Sequence, residues 1–177
     1  MNGIFTTLLY EMEKHHDTVL CTIIADSGST PRGMGAQMLV GEKGLLCGTI
    51  GGGAVEGGAI QLGQKLLQER RSTLHEYKLR HNDTEDIGMV CGGDVTVQLQ
   101  FIAADDAAWQ KLAGEALRRI ALRQPGWLVL ALDGSTPALR DDAETGSGYF
   151  ALPLPIGERA ILFGAGHCSL ALCPLLT

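Results

Sequence analysis

The run Val-Leu-Cys-Thr-Ile-Ile-Ala at 19–25 is apolar at nearly every position, the pattern of a strand buried on both faces. Residues 94–101 alternate instead, with Val95, Val97, Leu99 and Phe101 set against Thr96, Gln98 and Gln100. That period of two predicts a strand with one face on a core and the other half exposed. From 54 to 69 the residues Val55, Ala59, Ile60, Leu62, Leu66 and Leu67 recur at helical spacing, and 107–122 reads as a second amphipathic helix. A short helix over 5–13, strands over 37–40, 45–49, 73–79, 127–132 and 149–152, and a polar, glycine-containing excursion over 133–148 complete the pattern. Strands broken by helices in this order predict an α/β or α+β fold, an N-terminal mixed-sheet domain with flanking helices. Pro153 and Pro155 mark its end. The expected division is a domain over 1–152 with its motif-bearing core over 1–103, a linker over 153–158, and the start of a second unit over 159–177.

Candidate chemistry gathers in the loops. Gly48-Thr49-Ile50-Gly51-Gly52-Gly53-Ala54-Val55-Glu56 follows an apolar run and opens the helix at 54–69. Glycines without side chains can aim several N–H groups at one point, and a helix N-terminus adds partial positive charge, so Gly51, Gly52 and Gly53 are candidates to hold an anion such as phosphate. The same cluster also suits a tight turn that binds nothing. In the loop over 26–35, Ser27, Ser29, Thr30 and Arg32 gather hydroxyls and a guanidinium suited to phosphate or a polar heterocycle. Turn capping by the hydroxyls and a solvated Arg32 is the alternative. In the loop over 83–93, Cys91 stands directly before Gly92 and Gly93. A thiolate there would be a soft metal ligand or a sulfur-transfer nucleophile, although the acidic neighbours Asp83, Glu85, Asp86 and Asp94 oppose its ionisation. A half-buried thiol beside a bulge is the plainer reading.

Composition narrows the classes. The 177 residues are 45% hydrophobic and 19% charged with 24 glycines, ordinary for a globular protein and against disorder. A net charge of −6 with scattered Lys and Arg argues against nucleic acid. No segment is apolar for the length of a membrane span, and the first sixteen residues do not read as a signal peptide, so a cytoplasmic address is expected. The five cysteines, with no C-x-x-C pair, indicate neither a disulfide framework nor zinc. Cys21 and Cys47 stand in apolar runs as small hydrophobes.

Arg-Ala-Ile-Leu-Phe at 159–163, followed by Gly164-Ala165-Gly166-His167-Cys168-Ser169, looks like the first strand and helix start of a dinucleotide fold. Gly164, Gly166 and His167 are its candidate cofactor residues. The third glycine is replaced by Ser169, and no acidic residue some twenty positions on is available to hold a ribose. The expectation is an incomplete Rossmann unit, from a natural truncation or a fragment, with 159–177 unable to cover its own apolar face.

Taken together, Asp26-Ser27-Gly28-Ser29-Thr30-Pro31-Arg32, Gly35-Ala36-Gln37-Met38-Leu39-Val40, Gly48 through Glu56, and Gly88-Met89-Val90-Cys91-Gly92-Gly93 resemble the XdhC/CoxI family of xanthine dehydrogenase accessory factors. The likeness runs from the N-terminal helix to about Phe101 and resumes at 162–167, where that family begins a C-terminal Rossmann domain; 104–154 adds little. The resemblance implies a chaperone rather than an enzyme. Such a factor binds the molybdenum cofactor, as molybdopterin or its nucleotide form, protects it during sulfuration with a cysteine desulfurase, and inserts it into an apo-molybdenum hydroxylase of the xanthine dehydrogenase or aldehyde oxidase type. Carried over as cofactor-binding are Ser29, Arg32, Gly51, Gly52, Gly53, Glu56, Cys91, Gly92 and Gly93, with Cys91 a candidate molybdenum contact. Position 54, sometimes cysteine in that family, is Ala54 here, so sulfur chemistry is not available at it. A homodimer is a further expectation. The alternatives are an NAD(P)-dependent oxidoreductase, which needs a complete Rossmann domain, and a truncated partner-binding remnant without cofactor.

Overall fold

The computed structural model describes residues 3–28, 30, 32–78, 93–143, 146–157, 162–164 and 166–175. In chain order the elements are α1 (Gly3–Glu13), β1 (Thr18–Ser27), β2 (Gln37–Gly41), β3 (Gly44–Gly48), α2 (Gly53–Glu69), β4 (Thr73–Lys78), β5 (Asp94–Ile102), α3 (Ala107–Ala121), β6 (Trp127–Ala131), β7 (Ala138–Arg140), β8 (Tyr149–Pro153) and α4 (His167–Leu172). The first five strands form one sheet in the order β3-β2-β1-β5-β4, and the last three form another in the order β7-β6-β8. Every described ladder is antiparallel. The expected class therefore holds in its α+β form, with antiparallel sheets where a mixed one was anticipated.

The unbroken apolar run places β1 at the centre of the larger sheet, and both of its faces are covered. Val19, Cys21 and Ile23 join Met38, Val40, Val97 and Leu99 in a core capped by Val55, Ala59 and Leu66 of α2. Leu20 joins Leu39 and Ile102 on the opposite face, beneath Phe5 and Leu8 of α1, Trp109 and Leu112 of α3, and Leu128 and Leu130 of β6. Each such side chain contributes roughly 1.5–3 kcal/mol when withdrawn from water. α3 begins where Asp106 accepts from the Ala108 and Trp109 amides at 3.0 Å each, a side-chain cap that holds the helix start. Burial pushes the Cys21 thiol far up, in keeping with its reading as a small hydrophobe.

The half-exposed face expected of β5 is not exposed. Gln98 and Gln100 are each only 1% accessible, because the end of β6 and the turn after it close over them. Gln98 Nε2 donates to the Ala131 carbonyl at 2.6 Å, and Gln100 Nε2 donates to the Ser135 carbonyl at 2.8 Å. The alternation in the sequence is real; a second sheet covers the polar side. Within the excursion over 133–148, Ala138–Arg140 forms β7 on β6, a strand too short to show a period.

Of the expected strand over 159–163, residues 159–161 lie outside the described residues, and Leu162 and Phe163 are not in a strand. Phe163 is 93% exposed and none of α4 is buried. No helix among the described residues is long and apolar enough to cross a membrane.

Two outcomes follow from this packing. Gln98→Leu removes one of two donors to the Ala131 carbonyl, which keeps the Gly134 amide at 3.1 Å, and lowers stability by about 1 kcal/mol in urea unfolding. Tyr77 is 9% exposed; burial first, and the Cys21 thiol second, push its phenol up to about 12. The folded chain keeps a proton that the unfolded chain releases near pH 10, so stability falls as pH rises from about 10 to about 12. Phenolate absorbance resolves one late-titrating tyrosine, which Tyr77→Phe removes.

Candidate functional site

The turn between β3 and α2 needs glycine for its backbone. Gly51, Gly52 and Gly53 have φ of 124°, 75° and 60°, a left-handed stretch that side chains resist. It also turns amides inward, and those need acceptors. Glu56, one helical turn on, supplies one: a single carboxylate oxygen, Oε2, accepts from the Ile50 amide at 3.3 Å, the Gly52 amide at 3.1 Å and the Thr49 hydroxyl. Thr49 Oγ1 in turn accepts from the Gly51 amide at 3.1 Å. Gly52 is the helix N-cap and has no capping side chain, so Glu56 does that work from inside the helix.

The glycine run thus has an acceptor within the chain. The amides at 50 and 52 already hold an anion, and it belongs to the protein. Toward solvent the turn is open, since a Cβ at Gly52 would meet nothing within 4 Å. Gly48 is crowded instead: at φ 81°, its Cβ would lie 2.4 Å from the Gln37 carbonyl oxygen.

Thr49 has a second neighbourhood. A cleft of about 480 Å³ opens where the first turn of α1, the loop from Arg32 to Gln37, the end of β3 and the stretch after β8 converge. Arg32 and Thr49 line it together with Phe5, Leu152 and Pro155. The Gly35 amide donates to the Ile23 carbonyl at 2.8 Å, and the Ile23 amide donates to the Ala36 carbonyl at 3.0 Å, which fixes the loop against β1. Arg32 is exposed and makes no ion pair with a described residue. The nearby Thr30 hydroxyl donates to Asp26 Oδ2 at 3.3 Å.

Of the residues singled out in the sequence, the structure joins Gly51, Gly52, Gly53 and Glu56 in one turn and sets Arg32 on the adjoining cleft. Ser29, Cys91 and Gly92 lie outside the described residues, and Gly93 is buried at the start of β5. Gly164, with φ 105°, and Gly166 and His167 at the exposed start of the six-residue α4, belong neither to the turn's hydrogen-bond network nor to the core beside it. Sequence reasoning passed over Thr49, whose hydroxyl links cleft and turn; its signal was a hydroxyl residue directly before the glycine run. The cleft walls from α1 and β8 carried no local signal. Among the described residues no group of three His, Cys, Asp or Glu is placed to hold a metal.

The molecule is thus an α+β sheet domain with a glycine turn locked by a glutamate, beside an arginine-bearing cleft. Residues 12–78 match the XdhC and CoxI family, a segment that contains Arg32 and the whole turn through Glu56. The chain is 34% identical over 107 residues to a probable xanthine dehydrogenase subunit of Bacillus subtilis (strain 168), covering 59% of this chain and 32% of that protein. It is 33% identical over 110 residues to the molybdenum cofactor insertion chaperone PaoD of Escherichia coli (strain K12), covering 60% of this chain and 32% of the other. The chain spans a third or less of the length of the curated relatives it matches. The crystal structure of a xanthine dehydrogenase from Bacillus halodurans shares the fold, with a TM-score of 0.64 at 21% identity over 84% of this chain and 52% of that one. The resemblance seen in the sequence is borne out over the segment that builds the turn; the Cys91 motif and 162–167 fall outside the family match.

Replacing Glu56 with Ala strands two amides and a hydroxyl at once. The expected loss is about 2–4 kcal/mol in denaturant unfolding, with Glu56→Gln recovering part of it because one carbonyl oxygen can still accept.

Proposed function

We propose that this chain acts as an XdhC-type accessory factor, a carrier that receives the molybdenum cofactor and hands it to an apo-molybdenum hydroxylase of the xanthine dehydrogenase or aldehyde oxidase type. The observation that carries this reading is the placement of the family match: residues 12–78 take in the loop with Arg32 and the turn from Gly48 to Glu56, and Thr49 both lines the cleft with Arg32 and donates to Glu56. The names of the PaoD relative and of the probable dehydrogenase subunit support the same direction.

The residues present fit such a group in one respect that can be stated. Arg32 offers a guanidinium with no ion partner among the described residues, on a cleft of about 480 Å³, within the size range of small-molecule sites. The cofactor would supply a phosphate-bearing pterin and a molybdenum centre; the chain's part is to bind the organic body, match its charge and keep water away. Cys91, Gly92 and Ser29 complete the reading as cofactor contacts, with Cys91 beside the metal. A cysteine desulfurase as sulfur donor, a cytoplasmic setting, a homodimer, and the division into a domain over 1–152, a linker over 153–158 and a Rossmann start over 159–177 belong to the same proposal.

The test is cofactor retention by anaerobically purified, desalted chain, read by molybdenum analysis and by fluorescence of the oxidised pterin. Wild type retains both, and Cys91→Ala, checked for folding by circular dichroism, loses about tenfold or more of the metal. A wild-type chain that retains neither molybdenum nor pterin, and does not speed loading of an apo-hydroxylase, overturns the carrier reading.

A further inference from the structure

Among the described residues Thr18, Thr22, Gln98 and Gln100 are polar and buried, each 1% accessible, and all four stand on one face of two neighbouring strands. Thr22 of β1 is directly opposite Gln98 of β5, and Leu20 is opposite Gln100, so Thr18 is the diagonal neighbour of Gln100. The second sheet covers this face. The carbonyls of Ala131 and Ser135 take the Nε2 donors of Gln98 and Gln100, which fixes the end of each amide that faces them. Neither Oε1 then has a hydrogen-bond partner among the described residues, and neither has the Thr18 hydroxyl. The Thr22 hydroxyl accepts from Gln37 Nε2 at 3.1 Å and still has its own proton to place. Two acceptors and two hydroxyl protons thus stand in cross-strand pairs without bonding to each other.

We infer that each pair binds a buried water molecule, one between Thr22 and Gln98 and one between Thr18 and Gln100, so that the seam between the two sheets is a hydrated layer. Water fits the chemistry of the groups: its oxygen accepts the hydroxyl proton, and its own proton goes to the amide oxygen. A cation does not fit, because the buried polar side chains among the described residues include no carboxylate to balance it. An apolar filler would leave both acceptors and both protons unpaired. The bridge also completes a file of contacts. Gln37, on the lining of the cleft, donates to Thr22; Thr22 donates to water; water donates to Gln98, which donates to Ala131 of β6. The hydrated layer therefore ties β2, beside the cleft, to the second sheet.

The test is made on the full chain without any cofactor, so its outcome is independent of the carrier reading. Water–protein NOE and rotating-frame spectra show long-lived water at the side-chain amide protons of Gln98 and Gln100, and oxygen-17 relaxation dispersion counts the waters held. Thr18→Val keeps the shape of the side chain and removes the hydroxyl. It loses one long-lived water and the water contact at Gln100, keeps the contact at Gln98, and lowers the urea midpoint. Thr18→Ser, which retains the hydroxyl, keeps both contacts. A wild-type chain with no long-lived water at either glutamine overturns the inference, whether or not the variants fold. An unchanged water count in folded Thr18→Val overturns it as well; a dry seam would at the same time raise the urea midpoint, because a methyl group would replace an unpaired hydroxyl.

Discussion

One carboxylate oxygen sets the geometry on which the site depends. Three successive glycines with positive φ carry the chain from β3 into α2, and such a turn cannot satisfy its own inward amides with side chains it does not have. Glu56 answers from within the helix that the turn introduces, so the turn and the first turn of α2 stabilise each other. The helix then lays Val55, Ala59 and Leu66 on the sheet. Local hydrogen bonding and long-range burial thus specify the same arrangement, the consistency expected of a well-determined fold.

The opposite face of the sheet is closed differently. There the contacts include Gln98 and Gln100, whose amides reach backbone carbonyls of the segment leaving β6. An apolar pair in their place would tolerate sliding of one sheet over the other, whereas two directed bonds fix a position. Closing this face also moves Leu152 and the prolines after it beside α1, so the cleft is a by-product of how the second sheet is anchored. The buried glutamines, remote from the site, therefore help to define its wall.

Much of this was legible in the sequence, for identifiable reasons. The continuous apolar run at 19–25, the helical period after the glycines and the alternation at 94–101 are local patterns, and each became the element it predicts. What was not legible depended on distant parts of the chain. Nothing local to Gln98 tells that residues 131–135 will cover it, and three residues of β7 are too few to show a period. At the site, the glycine run correctly announced an unusual turn but left open what filled it. Glu56 was named from the resemblance; its role as the turn's internal acceptor is set by hydrogen bonds that only coordinates give. Cys91 and Ser29, the other half of the sequence-based site, lie outside the described residues.

The glutamate lock bears on how a carrier of the proposed kind would release its cargo. A helix N-terminus with free inward amides and a cationic side chain together would grip a phosphate from two sides, and affinity differences in related complexes lie mostly in the rate of release. With the Ile50 and Gly52 amides held by Glu56, charge and apolar surface are divided: the carboxylate occupies those donors, and the exposed Arg32 stands on a largely apolar cleft. On the proposed function, that division favours a cargo that is held specifically and still leaves. On the same reading, a receiving enzyme competes for the charged contact at Arg32 rather than for amides that Glu56 already holds.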